Sequence, residues 1–199
     1  VRVPMDATGA STRRALGSGP NRMSVAAVSL YRQLLGARYD ALPPSVRALH
    51  ERAGLHRYRG QVESERGTGW LSRLCAWATR LPPATRDAIE VEIVASPESE
   101  RWLRRFAGHD MPSRLWAQDG LLCERLGLVR FGFALDVEDA AVRWRVARVH
   151  ALGLPLPARW FDGVSASESE REGRYRFDVR AALPLAGLLV HYRGWLDVA

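Results

Sequence analysis

The sequence predicts an α+β domain: a curved antiparallel β-sheet or incomplete β-barrel of roughly eight hairpin-connected strands, with two or three N-terminal helices packed on its concave side. Three observations carry this. Apolar spacing of three and four residues is confined to the chain before Pro82-Pro83. After Thr85 the apolar period falls to two, as in half-buried strands. Asp-Gly, Glu-Asp and Glu-Gly pairs then punctuate the alternating runs at hairpin spacing. Helices segregated from strands argue against a parallel βαβ arrangement.

Residues 1–23 hold Pro4, Gly9, Gly17, Gly19 and Pro20 among small polar side chains with no regular period, and read as a disordered arm. They lack the apolar core of about 7 to 15 residues that a signal peptide carries. The folded domain is expected over residues 24–199. Val25, Val28, Tyr31, Leu34 and Leu35 form one stripe of an amphipathic helix, with Ser24 as its N-cap and its end near Gly36. Asp40 to Pro44 break the pattern, and Pro44 opens a short second helix carrying Val46, Leu49 and His50. Gly54 and Gly60 bracket an extended piece from Leu55 to Arg66. The third helix has the clearest signal, a wide apolar face of Trp70, Leu71, Leu74, Cys75, Trp77 and Leu81 stopped by Pro82-Pro83.

Beyond it, Ile89, Val91 and Ile93 alternate with Glu90 and Glu92. Residues 98–106 stay open between strand and helix, because Trp102, Leu103 and Phe106 suit both periods. Asp119-Gly120 joins Leu115-Trp116-Ala117 to Leu121-Leu122-Cys123, a pair suited to a turn with positive φ at both central positions. Glu138-Asp139 separates the face of Phe131, Phe133, Leu135 and Val137 from a strand carrying Val142, Trp144 and Val146. Glu172-Gly173 separates the polar run Ser165 to Arg171 from the face of Tyr175, Phe177, Val179 and Ala181. The last strand runs from Leu188 to Leu196. A sheet of this extent must curl, and its concave side has to be filled or lined. Space left by the helices would be a cavity for an apolar ligand.

Charge narrows the partners. The 199 residues carry 29 basic and 22 acidic side chains, a formal charge of +7, and every basic residue is arginine. Acids such as Glu98, Glu100, Asp136 and Glu138 interrupt the arginines, a pattern that disfavours a nucleic-acid partner. At 47% hydrophobic residues the chain can build a core, which excludes disorder throughout. Two cysteines make no disulfide framework, and no run reaches the roughly 18 apolar residues of a membrane-spanning helix. A cytoplasmic location is expected, with a peripheral position at the inner membrane as its variant.

Several groups are candidates for chemistry. His191, Tyr192, Arg193 and Trp195 form the densest run; on a strand His191 and Arg193 share a face, where a histidine beside a guanidinium could protonate an anionic or carbonyl substrate. The structural alternative has Tyr192 and Trp195 closing the sheet edge. Arg174, Arg176 and Arg180 alternate on one strand, and Arg174 would anchor an anion were that face concave. Tyr175, Phe177 and Val179 compete as the core face. Leu152 to Pro157, followed by Trp160-Phe161, suits either an apolar loop at a cavity mouth or a proline-stiffened crossover. Seven tryptophans, Trp77 among them, are enough to line a pocket or sit at a membrane interface as well as fill a core. Glu63, Glu65, Glu90, Glu92 and Glu124 show no spacing that singles out an acid–base pair. No glycine-rich phosphate loop, HxH, HExxH or CxxC occurs, so neither a metal nor another cofactor is expected.

Strings along the chain add a resemblance. Leu30-Tyr-Arg-Gln-Leu-Leu-Gly36, Glu65-Arg-Gly67, Arg101-Trp102 with Phe106, Arg130-Phe-Gly-Phe133, Leu152-Gly-Leu-Pro-Leu-Pro157, Gly173-Arg-Tyr-Arg-Phe-Asp-Val179 and Leu188-Leu-Val-His-Tyr-Arg-Gly-Trp-Leu196 are similar to the bacterial domain-of-unknown-function family forty-one sixty-six, from about residue 24 to the end. The resemblance implies company with saccharopine-dehydrogenase-like reductase segments or membrane segments, and no particular reaction. The leading expectation is a non-catalytic module binding a lipid-like or other hydrophobic molecule. The alternatives are an enzyme using His191 with Arg193 on an apolar substrate, and a protein-interaction domain partnering a reductase or membrane protein.

Overall fold

The computed structural model describes residues 28–198. The expected N-terminal arm and the Ser24 cap lie outside the described residues. Helix α1 spans Leu30–Leu35, capped by the Ser29 hydroxyl, which accepts from the Arg32 amide at 3.3 Å, and it ends at Gly36 with φ 56°. A 3₁₀ turn, Gly36–Ala41, leads to α2, Pro44–Glu51, with proline in its first turn as expected. Strand β1 (Gly54–Arg66), helix α3 (Trp70–Ala78) and strands β2 (Thr85–Ala95) and β3 (Glu100–Phe106) follow. Next come β4 (His109–Gln118), β5 (Leu121–Leu126), β6 (Val129–Glu138) and β7 (Ala141–Ala151). The chain ends through β8 (Leu154–Leu156), a 3₁₀ turn at Ala158–Phe161, β9 (Val164–Arg171), β10 (Arg174–Leu183) and β11 (Gly187–Asp197).

Ten of these strands close into an antiparallel barrel in the order β1-β2-β3-β4-β5-β6-β7-β9-β10-β11, with β11 returning to β1. The short β8 shares an edge of β7 with β9. It covers Val149 to Ala151, β9 covers Val142 to Arg145, and the 3₁₀ turn sits between them. The incomplete barrel of roughly eight strands is therefore corrected to a closed one of ten. Residues 100–106 are a strand, and the extended piece after Gly54 is a full wall strand pairing with both β2 and β11. Closure by β1 on β11 joins opposite ends of the domain, which no local period reveals.

Turn chemistry is read correctly at Asp119-Gly120 and Glu172-Gly173, where both residues have positive φ. The β6–β7 turn falls one residue later than expected, on Asp139-Ala140. Leu152-Gly153 proves to be another such turn, so Leu152 to Pro157 is a hairpin with β8 and not a crossover.

The helices take the two ends of the barrel, which corrects their expected place along the concave side. At one end α1, the first 3₁₀ turn and α2 form a plug that buries Leu30, Tyr31, Leu35, Tyr39, Val46 and Leu49. Across the other end lies α3, and its expected apolar face divides: Leu71, Cys75 and the following Leu81 are half-buried and line the interior, whereas Trp70 and Trp77 are 77% and 72% exposed, with Leu74 exposed beside them. Small residues face the wall instead. Ser72 and Ala76 are buried, and the Ser72 hydroxyl donates to the Leu188 carbonyl at 2.7 Å. Close approach there leaves no room for an indole.

The outward face of the wall is laced with ion pairs: Glu63 meets Arg86 and Arg193, Glu90 meets Arg105, and Glu92 meets Arg57. Apolar inside and charged outside is the inverse of a membrane-spanning barrel. No described helix is long and apolar enough to cross a membrane.

Candidate functional site

Alternation along the strands aims one side chain in two at the barrel axis. Those of β2, β3, β6, β7, β9, β10 and β11 do not meet in the middle. They leave a cavity of about 540 Å³, within the range of small-molecule pockets. Its walls include Ile89, Val91, Phe131, Phe133, Phe177 and Val179. Aromatic rings brace the wall edge to face: Phe131 on Phe161 at 5.9 Å and Phe133 on Trp144 at 5.2 Å. The mouth lies at the α3 end, between Leu71 and Cys75 of that helix, the β10–β11 turn at Pro184–Ala186, and Trp160.

The floor is polar. Glu168 on β9 accepts from the Tyr31 hydroxyl at 3.1 Å and meets His50 Nε2 at 2.7 Å, while the His50 ring stacks on Tyr31 at 3.4 Å. Beside it the Trp102 indole donates to Glu100 at 2.7 Å. Arg104 on β3 donates to Ser113 at 3.0 Å and to Glu124 on β5 at 3.3 Å. Burial pushes the Glu100 carboxyl above its ordinary range, with nearby His50 pulling the other way. Burial likewise raises the phenols: Tyr31 and Tyr175 lie well above their usual value and Tyr192 is pushed up to about 12. All three stay protonated at neutral pH, and Tyr31 gives its O–H to Glu168.

Arg104 is matched by Glu124, and Glu168 is held by hydrogen bonds at Tyr31 and His50, so the floor presents no free cation among the described residues. A neutral polar group suits it better than an anion. Burial raises both cysteine thiols, Cys75 at the mouth and Cys123 on β5, away from the thiolate form. Among the described residues no cluster of histidine, cysteine or carboxylate could hold a metal.

The residues singled out from the sequence divide between the two faces of the wall. Tyr192, Trp160 and Phe161 line the cavity; Tyr192 packs edge to face on Phe106 at 5.4 Å. The outer face takes the rest of the densest run. His191 pairs with Asp178 at 3.0 Å, Arg193 with Glu63 at 3.3 Å, and the Arg174 guanidinium lies 4.4 Å over the Trp195 ring. Neither His191 nor Arg193 lines the cavity, so the acid–base arrangement sought for them does not form around it. Trp77 projects from α3 outside the mouth.

Arg104, Glu124 and Glu168, which make the floor, were not singled out as a set. Each is a charged residue on the apolar face of its strand, between Trp102 and Phe106, Leu122 and Leu126, or beyond Ala166. That intrusion was the available signal. It stayed hidden at Arg104 because the strand's phase was undecided.

The profile of the domain of unknown function DUF4166 matches residues 42–196. A comparison with curated proteins finds no match. Among solved structures, the crystal structure of Rv2717c from M. tuberculosis is similar, with 10% identity and a TM-score of 0.39 over 78% of this chain and 98% of that one.

Proposed function

The chain belongs to the DUF4166 family, a family that carries no assigned activity, and from that premise we propose that its barrel is a non-catalytic carrier of a hydrophobic molecule. One observation carries the reading: an apolar cavity of about 540 Å³ runs from a mouth at the α3 end to a hydrogen-bonding floor. Dense packing is the rule for a domain interior, and space of this size is a departure from it. The matched Arg104–Glu124 pair, the hydrogen-bonded Glu168 carboxylate and the protonated Tyr192 phenol on the cavity wall favour a neutral lipid-like ligand with one carbonyl or hydroxyl group. An aliphatic or polycyclic body would lie against Phe131, Phe133, Phe177 and Val179.

Native mass spectrometry of the purified chain, before and after organic extraction, tests this directly. The expected result is a reproducible small-molecule adduct that extraction removes. Binding of the neutral probe N-phenyl-1-naphthylamine provides a second readout. Ala166→Phe and Ala181→Phe, which place a ring in the cavity from β9 and β10, should each abolish its fluorescence enhancement. A clean apo mass together with no probe binding by the parent protein overturns the reading.

A further inference from the structure

We infer that the open end of the barrel is a docking surface for an anionic lipid bilayer. The inference goes beyond cargo binding and stands on other residues, those outside the cavity mouth. Around that mouth Trp70, Trp77, Leu152, Leu154 and Leu185 are all exposed, Leu185 at 92%. They come from three segments that hydrogen bonding and packing draw to one end. The Leu128 amide donates to the Ala78 carbonyl at the end of α3, and the Leu152 amide donates to the Leu128 carbonyl, each at 3.0 Å. Leu185 sits on the β10–β11 turn across the mouth.

Large apolar side chains grouped at one end of a domain mark an interaction site, since scattered ones are the ordinary case. Two features specify a bilayer. The first is composition, because tryptophan favours the boundary between headgroups and acyl chains, where its ring is buried and its N–H stays hydrated.

Charge is the second feature, and it differs between the two ends of the barrel. At the plugged end the turns carry Glu98, Asp119, Asp139 and Glu172. At the open end the turns are Ala107-Gly108, Gly127-Leu128, Leu152-Gly153 and Pro184 to Ala186, with no acid in them. Exposed Arg73, Arg80 and Arg159 surround these apolar tips and make no ion pair among the described residues; Asp162 follows Arg159 in the chain, and Asp110, which shares a groove with Trp77 and Arg80, is paired with Arg105 at 3.8 Å. Guanidinium groups beside inserted indoles suit a negatively charged leaflet. The opposite end would be held away from it. In this pose the mouth faces the acyl chains, so an apolar cargo enters without crossing water.

The test is co-sedimentation of the full chain with phosphatidylcholine vesicles, with and without phosphatidylglycerol. Binding is expected only where phosphatidylglycerol is present. Arg73→Gln/Arg80→Gln/Arg159→Gln should weaken it at least about tenfold, given the contribution of each cation near such a surface. The control Arg101→Gln/Arg114→Gln/Arg143→Gln removes equal charge from exposed positions away from the mouth and should bind as the parent does. Trp70→Ser/Trp77→Ser should lose binding with an unchanged melting temperature. Leu185→Glu, on an exposed turn, gives the same answer should the double variant fold poorly. Ala166→Phe, which blocks the cavity, should leave vesicle binding intact. Absence of binding, equal loss from both arginine sets, equal binding to neutral vesicles, or indifference to Trp70→Ser/Trp77→Ser and Leu185→Glu each overturns the inference. So does a dimer in light scattering that Trp77→Ser dissociates, because the face would then be covered by a second copy.

Discussion

At Glu168 a single buried carboxylate ties the wall to the plug, holding Tyr31 of α1 and His50 of α2. Removing it leaves the Tyr31 hydroxyl and the His50 ring desolvated without their partner, at about 1 to 3 kcal/mol for each stranded group. Glu168→Leu is therefore expected to lower the unfolding free energy by about 3 kcal/mol, read as a lower urea midpoint. His50→Leu/Glu168→Leu should lose less than the two single changes summed, because neither partner is then stranded. Glu100 gives a pH signature. Its carboxyl is raised in the folded state, chiefly by burial, so folding favours the protonated form. The contribution is fully present below the unfolded-state value and is lost as pH rises through the folded one. Glu100→Gln keeps an acceptor for the Trp102 indole and never ionises. It should be more stable than the parent at neutral pH, with the difference shrinking toward acid pH in denaturation curves. These residues look like surface strand acids in the sequence. Only their neighbours across the barrel make them a buried network.

Among the elements, the seam between β1 and β11 depends on two glycines. A Cβ at Gly60 would lie 1.7 Å from the Trp195 carbonyl oxygen. One at Gly194 would lie 2.1 Å from the Gln61 carbonyl oxygen and 2.7 Å from the Phe177 ring. Backbone cannot yield as a flexible side chain does, so Gly194→Ala is expected to destabilise by about 2 kcal/mol or more through separation of the strands. Thermal unfolding checks this, with Gly120→Ala in the β4–β5 turn as a comparison whose penalty comes from positive φ alone. The alternation in β2 and the turn at Asp119-Gly120 were legible because both are local. Helix α3 shows the limit of such reading. Its amphipathic stripe is real, yet Ser72 and Ala76 take the packed side and the indoles are left outside.

For the whole molecule, cargo and stability are linked. A ligand that binds only the folded barrel adds about 2.7 kcal/mol when present at a hundred times its dissociation constant. For a domain of this size each kcal/mol moves the melting temperature by about 2 to 4 °C. Protein freed of cargo by extraction should melt about 5 °C or more below the protein as purified, and Ala166→Phe should show no such gap. Differential scanning calorimetry of the four samples decides it. The sequence by itself determined the antiparallel sheet, the hairpin register at several turns, the N-terminal helices and the family. Each follows from residues close together in the chain, through side-chain period, turn φ and short strings. Tertiary structure alone decided closure, which end each helix takes, and the sorting of His191 and Arg193 to the outside from Tyr192 to the inside. The physical reason is the pairing of β1 with β11: it joins the two ends of the domain, encloses the space between the strands, and so sets which face of every strand becomes cavity wall.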